Sequence, residues 1–353
     1  MVSFADDMYF HNNGSEEQDD YSEDNVKYFP ADQTKYPLFQ SNVAAEFPTI
    51  VNTSCRIPHI IHQIFSNENV PKVFQKPMRS FILYNPTWEY RFWTYSSGRN
   101  FLIKHHAYLL DFYDKIGEND VKRSDLLRMA IIYEFGGVYA DLDVENLRSL
   151  NITTTKYACI LPPEPFEHSG ILYGEEVIIA TAVLLCRPKH PFIKQILLSL
   201  QHADPNGDPV STTGPEFITH MYLKYNNITK SDLLKSVADT TSNSPYFYKG
   251  TRDEDSQDGI YIPNSQYFMD NVDPMLRNED GEIKECVDKS LDALSFLEKR
   301  ACTEFESRKT IRKEKHFTFT IHYWFHLWTY TDSFAKKMPR IHIKQIIPKA
   351  ISF

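Results

Sequence analysis

The sequence predicts an α/β fold, a sheet held between helical layers, because short β-branched runs alternate with segments of helical spacing. A Gly136-Gly137 break between the longest helical pattern and the next apolar run gives that alternation a sharp boundary. Aromatic mass is ample for a core, with 24 Phe, 21 Tyr and 4 Trp. The length of 353 residues suits one large α/β domain with insertions, or two domains. With 42 % hydrophobic and 24 % charged residues, the composition excludes whole-chain disorder, collagen-like repeats and a disulfide scaffold.

Taken in order, residues 1–50 are polar, acidic and aperiodic and read as a disordered arm or stem, with the catalytic domain expected over 51–353. Ile57–Phe65 is a β-branched run suited to a first buried strand. A helix is expected over Lys76–Tyr84, stopped by Asn85-Pro86, then a strand over Trp88–Tyr95 and a helix over Leu102–Ile116 closed by Gly117. Val121–Phe135 places Leu127, Ala130, Ile131 and Glu134 at helical spacing. Further strands are expected over Val138–Asp143, Tyr157–Leu161 and Val177–Cys186, with irregular, polar cover from about 226 to 315.

The net charge of −9 argues against a nucleic-acid partner, which needs a basic face. Eight acids crowd the first 24 residues, and without them the body is nearly neutral, at 39 acids against 38 bases. From Arg308 onward ten Lys or Arg face only Glu314 and Asp332, either a solvated face or a surface for a diphosphate or lipid headgroup. No run reaches the roughly 18 apolar residues that span a bilayer, and no signal peptide is visible. Four N-x-Ser/Thr sequons, at Asn13, Asn52, Asn151 and Asn227, lend slight support to a secretory lumen. Five cysteines without CxxC spacing make a zinc site a poor expectation and allow at most two disulfides.

The chemistry concentrates at Asp141-Leu142-Asp143. Within a strand, residues i and i+2 share a face, so the pair converges on one ion only if the strand ends there and the turn aims both carboxylates. There they can hold Mg²⁺ or Mn²⁺, whose shell is commonly completed by ligand phosphates and water. A lone D-x-D is ordinarily a solvated turn, but here it follows a buried helix that places Asp125 and Arg128 three residues apart on one face. The bland reading of that second pair is a surface ion pair.

Lys122-Arg-Ser-Asp125-x-x-Arg128 followed by Tyr133-x-Phe-Gly-Gly-Val-Tyr139-x-Asp141-x-Asp143 resembles the signature of the sugar-transferase DXD group, glycosyltransferase family thirty-two. The opening strand through His62-Gln63-Ile64-Phe65, Asn85-Pro86-x-Trp88, Thr213-Gly214-Pro215 and His322-x-Trp324-x-x-x-Trp328 are similar to further blocks of that family, in order. The resemblance implies a GT-A fold, a Rossmann-like α/β/α sandwich that binds a nucleotide-sugar at the carboxyl ends of its strands. It implies a retaining hexosyltransferase with Mn²⁺ or Mg²⁺ as cofactor, a UDP- or GDP-sugar donor and a glycan or glycolipid acceptor. It also implies residence in the Golgi or ER lumen with membrane-surface association, although no anchor is visible in this chain.

Residue by residue, the resemblance assigns Asp125 and Arg128 to donor-sugar hydroxyls and Tyr139 to the same pocket. Asp141 would touch ribose or bridge to the metal, Asp143 would be the direct ligand, and His322 would complete the metal site or meet the diphosphate. Asp125, Arg128, Asp141 and Asp143 together form the expected catalytic set. Phe65 stands where relatives stack an aromatic, often Trp, on the base, with core packing as the alternative. Thr181 takes a position where relatives carry Asn and lacks the amide pair. Among Glu164, Glu167, Glu175 and Glu176, in the expected acceptor region, nothing in the sequence ranks one above another. The competing reading is a catalytically inactive nucleotide-sugar-binding module, and a metal-dependent phosphohydrolase comes third.

Overall fold

A computed structural model describes residues 39, 41–50, 54–230, 259–311, 316–327 and 337–353. Ten strands run as β1 (Ile60–Phe65), β2 (Asn69–Pro71), β3 (Glu89–Thr94), β4 (Gly137–Ala140), β5 (Val144–Asn146), β6 (Cys159–Ile160), β7 (Val183–Cys186), β8 (Thr320–His322), β9 (Arg340–His342) and β10 (Ile351–Ser352). Six of them form the central sheet in the order β10-β3-β1-β4-β7-β6. The first four are parallel, while β7 runs antiparallel to both β4 and β6.

Helices cover both faces. On one side lie α1 (Gln75–Tyr84) and the turn at Ile343–Ile346; on the other lie α2 (Tyr95–His105), α3 (Leu110–Lys115), α4 (Asp120–Phe135), α5 (Pro191–Leu200) and α6 (Pro215–Asn226). Alternation within strands divides the core between these layers: Tyr139, Leu184 and Cys186 face α4 and α5, and Val138, Ala140, Val183 and Leu185 face the α1 side. β4 and β7 are buried along their whole length, which is why they read as continuous apolar runs. This is the GT-A-like α/β/α arrangement expected from the sequence.

Several boundaries shift for local reasons. Tyr95, expected to end a strand, begins α2, because Thr94 and Ser97 cap each other reciprocally. The helix expected over Leu102–Ile116 is two helices separated by a turn at Ala107–Leu109, with His106 buried at the break. Only the last four residues of the expected Val177–Cys186 strand join the sheet. Upstream, Ile178 and Ala180 instead bond the Pro162–Glu164 segment, with Glu164 N–H donating to Ile178 O at 2.8 Å. The body also begins before the residue-51 boundary read from composition, since Phe39 and Phe47 are buried against Tyr267. Residues 1–38 lie outside the described residues, as do Asn13, Asn52 and Trp328. Arg308, assigned from sequence to a solvated or anion-facing tail, is instead buried between Glu167 and Asp270.

The join between α4 and β4 sets the site. Asn119 caps the start of α4 by accepting from Lys122 N–H at 3.0 Å. At its end Gly136 and Gly137 take φ of +63° and +97°. A Cβ on Gly137 would lie 2.5 Å from the Ile60 carbonyl oxygen, so only glycine lets β4 leave the helix directly alongside β1. β4 then ends at Ala140, and Asp141–Asp143 turn out of the sheet. β1 lies between β3 and β4, so the chain crosses to both sides from it. Phe65 and Asp141 thereby fall at the carboxyl ends flanking that switch point.

His62, in the middle of β1, is fully buried. Trp93 donates its indole N–H to Nδ1 at 3.2 Å, so the proton sits on Nε2, 3.0 Å from the Gly136 carbonyl. Burial, with Arg91 nearby, lowers its pKa from 6.5 to about 3. The unfolded chain therefore binds a proton near pH 6.5 that the native state refuses until about pH 3, so this contribution is complete above pH 6.5 and falls as pH drops. His62→Gln is expected to flatten the pH dependence of urea unfolding between about pH 6 and 4.5 by roughly 1 kcal/mol per pH unit. Parallel slopes for the two proteins would contradict the assignment.

Candidate functional site

Helix α4 carries Asp125 and Arg128, and burial forces them to satisfy one another. Asp125 is 2 % exposed and accepts from the Thr213 hydroxyl at 2.7 Å, with Arg128 Nη2 3.3 Å from its other oxygen. Arg128 is 4 % exposed. Its Nη1 donates to the Thr181 carbonyl at 2.5 Å, Nη2 lies 3.3 Å from Asp141 Oδ1, and its guanidinium sits 4.6 Å from the Tyr139 ring centroid. Tyr139 donates its hydroxyl to Asp141 Oδ1 at 2.5 Å. Thr181 thus meets Arg128 through its backbone carbonyl, a contact that does not depend on the side chain at this position.

The two aspartates of the D-x-D differ in environment. Burial pushes the Asp141 carboxyl above the ordinary carboxylate range, although Arg128 opposes this. Asp143 is also desolvated, yet His322 beside it and the Phe325 N–H at 3.0 Å hold its pKa below that range. His322 Nε2 stands 3.1 Å from Asp143 Oδ1. Burial disfavours the imidazolium, but the charge and hydrogen bond of Asp143 outweigh it, and the His322 pKa rises.

His322 reaches this point because β8 pairs antiparallel with β5, setting His322 opposite Val144. Ligand atoms of Asp141, Asp143 and His322 all fall within 4.8 Å of one another. Among the described residues, Nδ1 of His322 is buried with no hydrogen-bond partner. Two carboxylates and one imidazole together suit a divalent cation such as Mn²⁺ or Mg²⁺.

Phe65 is half-buried at the end of β1, edge-on to Phe74 at 6.0 Å. The Arg340 guanidinium lies 5.9 Å from its ring centroid. Arg340 stands on β9, antiparallel to β2, a placement the sequence did not disclose. Gln63 was also missed as a site residue. Its amide donates to the carbonyls of Ala140 and Asp141 at 3.3 and 3.1 Å, where the β1–β4 ladder stops, and Tyr90 donates to its other end. A shallow groove on α5 and α6, lined by Lys194, Leu198 and Lys224, shares no residue with this cluster.

Removing Arg128 would strand the buried Asp125 carboxylate and leave the partly exposed Asp141 without its cation. Arg128→Ala is expected to cost about 3–5 kcal/mol in urea unfolding, and Asp125→Asn/Arg128→Met to recover part of that loss. A cost below about 1 kcal/mol for the single variant would show that solvent reaches and screens the pair.

Residues 71–159 match the family described as "Glycosyltransferase sugar-binding region containing DXD motif". The chain is 29 % identical over 182 residues to inositol phosphoceramide mannosyltransferase 3 of Schizosaccharomyces pombe, covering 50 % of this chain and 48 % of that protein. Mannosyl phosphorylinositol ceramide synthase SUR1 of Saccharomyces cerevisiae is 27 % identical over 174 residues, covering 48 % and 42 %. The chain therefore spans about half the length of the curated relatives it matches. The PaToxG glycosyltransferase structure is similar at a TM-score of 0.39 and 15 % identity over 48 % of this chain and 70 % of that one, too slight a likeness to bear on the site. The matched region holds Asp125, Arg128, Tyr139, Asp141 and Asp143, so the similarity to the DXD-motif glycosyltransferase family covers the residues of this cluster.

Proposed function

We propose that this protein is a metal-dependent, retaining glycosyltransferase that moves a hexose from a UDP- or GDP-sugar to a hydroxyl of a glycan or glycolipid. The observation that carries the reading is the convergence of Asp141, Asp143 and His322 at the carboxyl end of β4, beside the Asp125–Arg128 pair. The curated relatives are named for mannosyl transfer to inositol phosphoceramide, which favours mannose and a glycolipid.

In this reading Asp143, kept ionised by His322, would be the direct metal ligand, and His322 would supply nitrogen to the same ion. Asp141 touches ribose or bridges to the metal. A bound Mn²⁺ or Mg²⁺ supplies positive charge against that developing on the departing diphosphate. Arg128 and Asp125 hold hydroxyls of the donor sugar, with Tyr139 and Thr181 lining the pocket, and Phe65 offers a π-face to the base. Arg340, next to Phe65, adds a cation where the nucleotide would enter. The acceptor oxygen attacks the anomeric carbon from the leaving-group face, and its proton passes to the diphosphate oxygen.

The Cys286–Cys302 disulfide supports an oxidising compartment, in keeping with a Golgi or ER lumen. Among the described residues no helix is long and apolar enough to cross a membrane. Membrane-surface association, which a glycolipid acceptor calls for, is part of the proposal.

UDP, GDP and their sugars, each with Mn²⁺ and with chelator, are the test by thermal shift. One nucleotide class is expected to raise the melting temperature only with metal, and Asp143→Ala to erase that shift and lower turnover by about a hundredfold or more. A shift equal in Mn²⁺ and chelator would remove the metal from the reading. No shift with any nucleotide would remove the donor site.

A further inference from the structure

Four glutamates lie between β6 and β7, and three are already neutralised. Glu167 meets Arg308 at 2.5 Å, Glu176 meets Arg300 at 2.7 Å, and Glu175 is ion-paired with Lys230. Glu164 has no Lys or Arg within 4.0 Å among the described residues, although it is only 6 % exposed. Its Oε2 lies 3.2 Å from Nδ1 of His168, itself 1 % exposed.

The tautomer of His168 follows from its other nitrogen. Nε2 accepts the Asp273 backbone N–H at 2.9 Å, so it carries the lone pair and Nδ1 carries the proton. A neutral imidazole thus donates to Glu164, orienting the carboxylate without cancelling its charge. A buried carboxylate so held is costly unless something else hydrogen-bonds to it.

The same wall borders the metal cluster. The Trp324 ring stands 4.5 Å from His168 and 4.1 Å from His322. Trp324 and His326 have φ of +56° and +46°, a conformation non-glycine residues seldom adopt. Two contacts hold that bend: Trp324 donates to Asn271 O at 2.7 Å, and His326 Nε2 is 2.7 Å from Asp273 Oδ2.

Resting on the transferase reading above, we propose that Glu164 is an acceptor-binding carboxylate that takes a hydrogen bond from a polyol hydroxyl beside the Trp324 ring. It serves the His322 side of the cluster, as Arg128 serves the Asp141 side. During transfer the bond from the anomeric carbon to the diphosphate oxygen breaks, its electron pair leaving with that oxygen. The acceptor oxygen forms the new bond and its proton goes to the diphosphate. Glu164 orients the hydroxyl and ends the step as it began, unprotonated.

The test reads donor hydrolysis and transfer separately, with Mn²⁺ and GDP-mannose, UDP-glucose, UDP-galactose or UDP-N-acetylglucosamine. The acceptor probes are myo-inositol, methyl α-mannoside and inositol phosphoceramide in detergent micelles. Glu164→Gln and Glu164→Ala are expected to keep hydrolysis and calorimetric Mn²⁺ affinity within about twofold while transfer kcat/KM falls about ten- to hundredfold. Glu176→Gln, which breaks a structural pair, is expected to lower the melting temperature and leave the ratio of hydrolysis to transfer unchanged. Hydrolysis and transfer falling together in the Glu164 variants would make the residue structural. Weakened Mn²⁺ affinity would move it into the metal site, and unchanged transfer would remove it from the acceptor. Wild-type protein that hydrolyses a donor but transfers to no polyol overturns the assignment alone; turnover of no donor overturns the transferase reading and Glu164 with it.

Discussion

The Arg128 guanidinium is the interaction on which the site depends. It is a buried cation held between Asp125 on its own helix, Asp141 beyond the next strand and the Thr181 carbonyl near the start of β7. Those contacts tie α4, β4 and β7 at one point, using the planar fork that lysine does not possess. A charge so deeply placed is tolerated only because each of its neighbours is itself charged or polar. The arrangement also divides the labour of the D-x-D. Asp141 answers to Arg128 and Asp143 to His322, so one motif spans two electrostatic environments.

Around that point the sheet is ended deliberately. Parallel pairing between β1 and β4 stops at His62 and Tyr139, and the Gln63 amide continues it by gripping the next two carbonyls. A side-chain bond here does what a ladder bond cannot, because it follows the backbone as it leaves the sheet plane. The antiparallel β7 contributes in the same way, its approach segment accepting Asp141 N–H at 2.8 Å through Ala182 O. The aspartates therefore leave a strand whose last residues are fixed from both sides.

What the sequence disclosed and what it hid divide along contact distance. The run from Lys122 to Asp143 was legible because helix, glycine break, strand and acids are contiguous, and local rules of capping, periodicity and backbone freedom apply to each. His322 was legible only through family resemblance. The links of Thr213 to Asp125 and of Arg340 to Phe65 were hidden, since no periodicity encodes a pairing across scores of residues. Glu164 illustrates the limit: in sequence it stood level with Glu167, Glu175 and Glu176, and only the positions of arginines and a lysine elsewhere in the chain set it apart. The strand over Val177–Cys186 was read too long for a related reason. Its first half is extended and apolar, yet its hydrogen bonds go to the Pro162–Glu164 segment instead of to the central sheet.

The pairing of β8 with β5 has a consequence for how the protein comes into being. Asp143 and His322 are 179 residues apart. On the ribosome the carboxylates emerge first, well ahead of the imidazole that completes the cluster. Until then the nascent chain holds the two acids without His322, so the cluster closes only after β1 to β7 have been made.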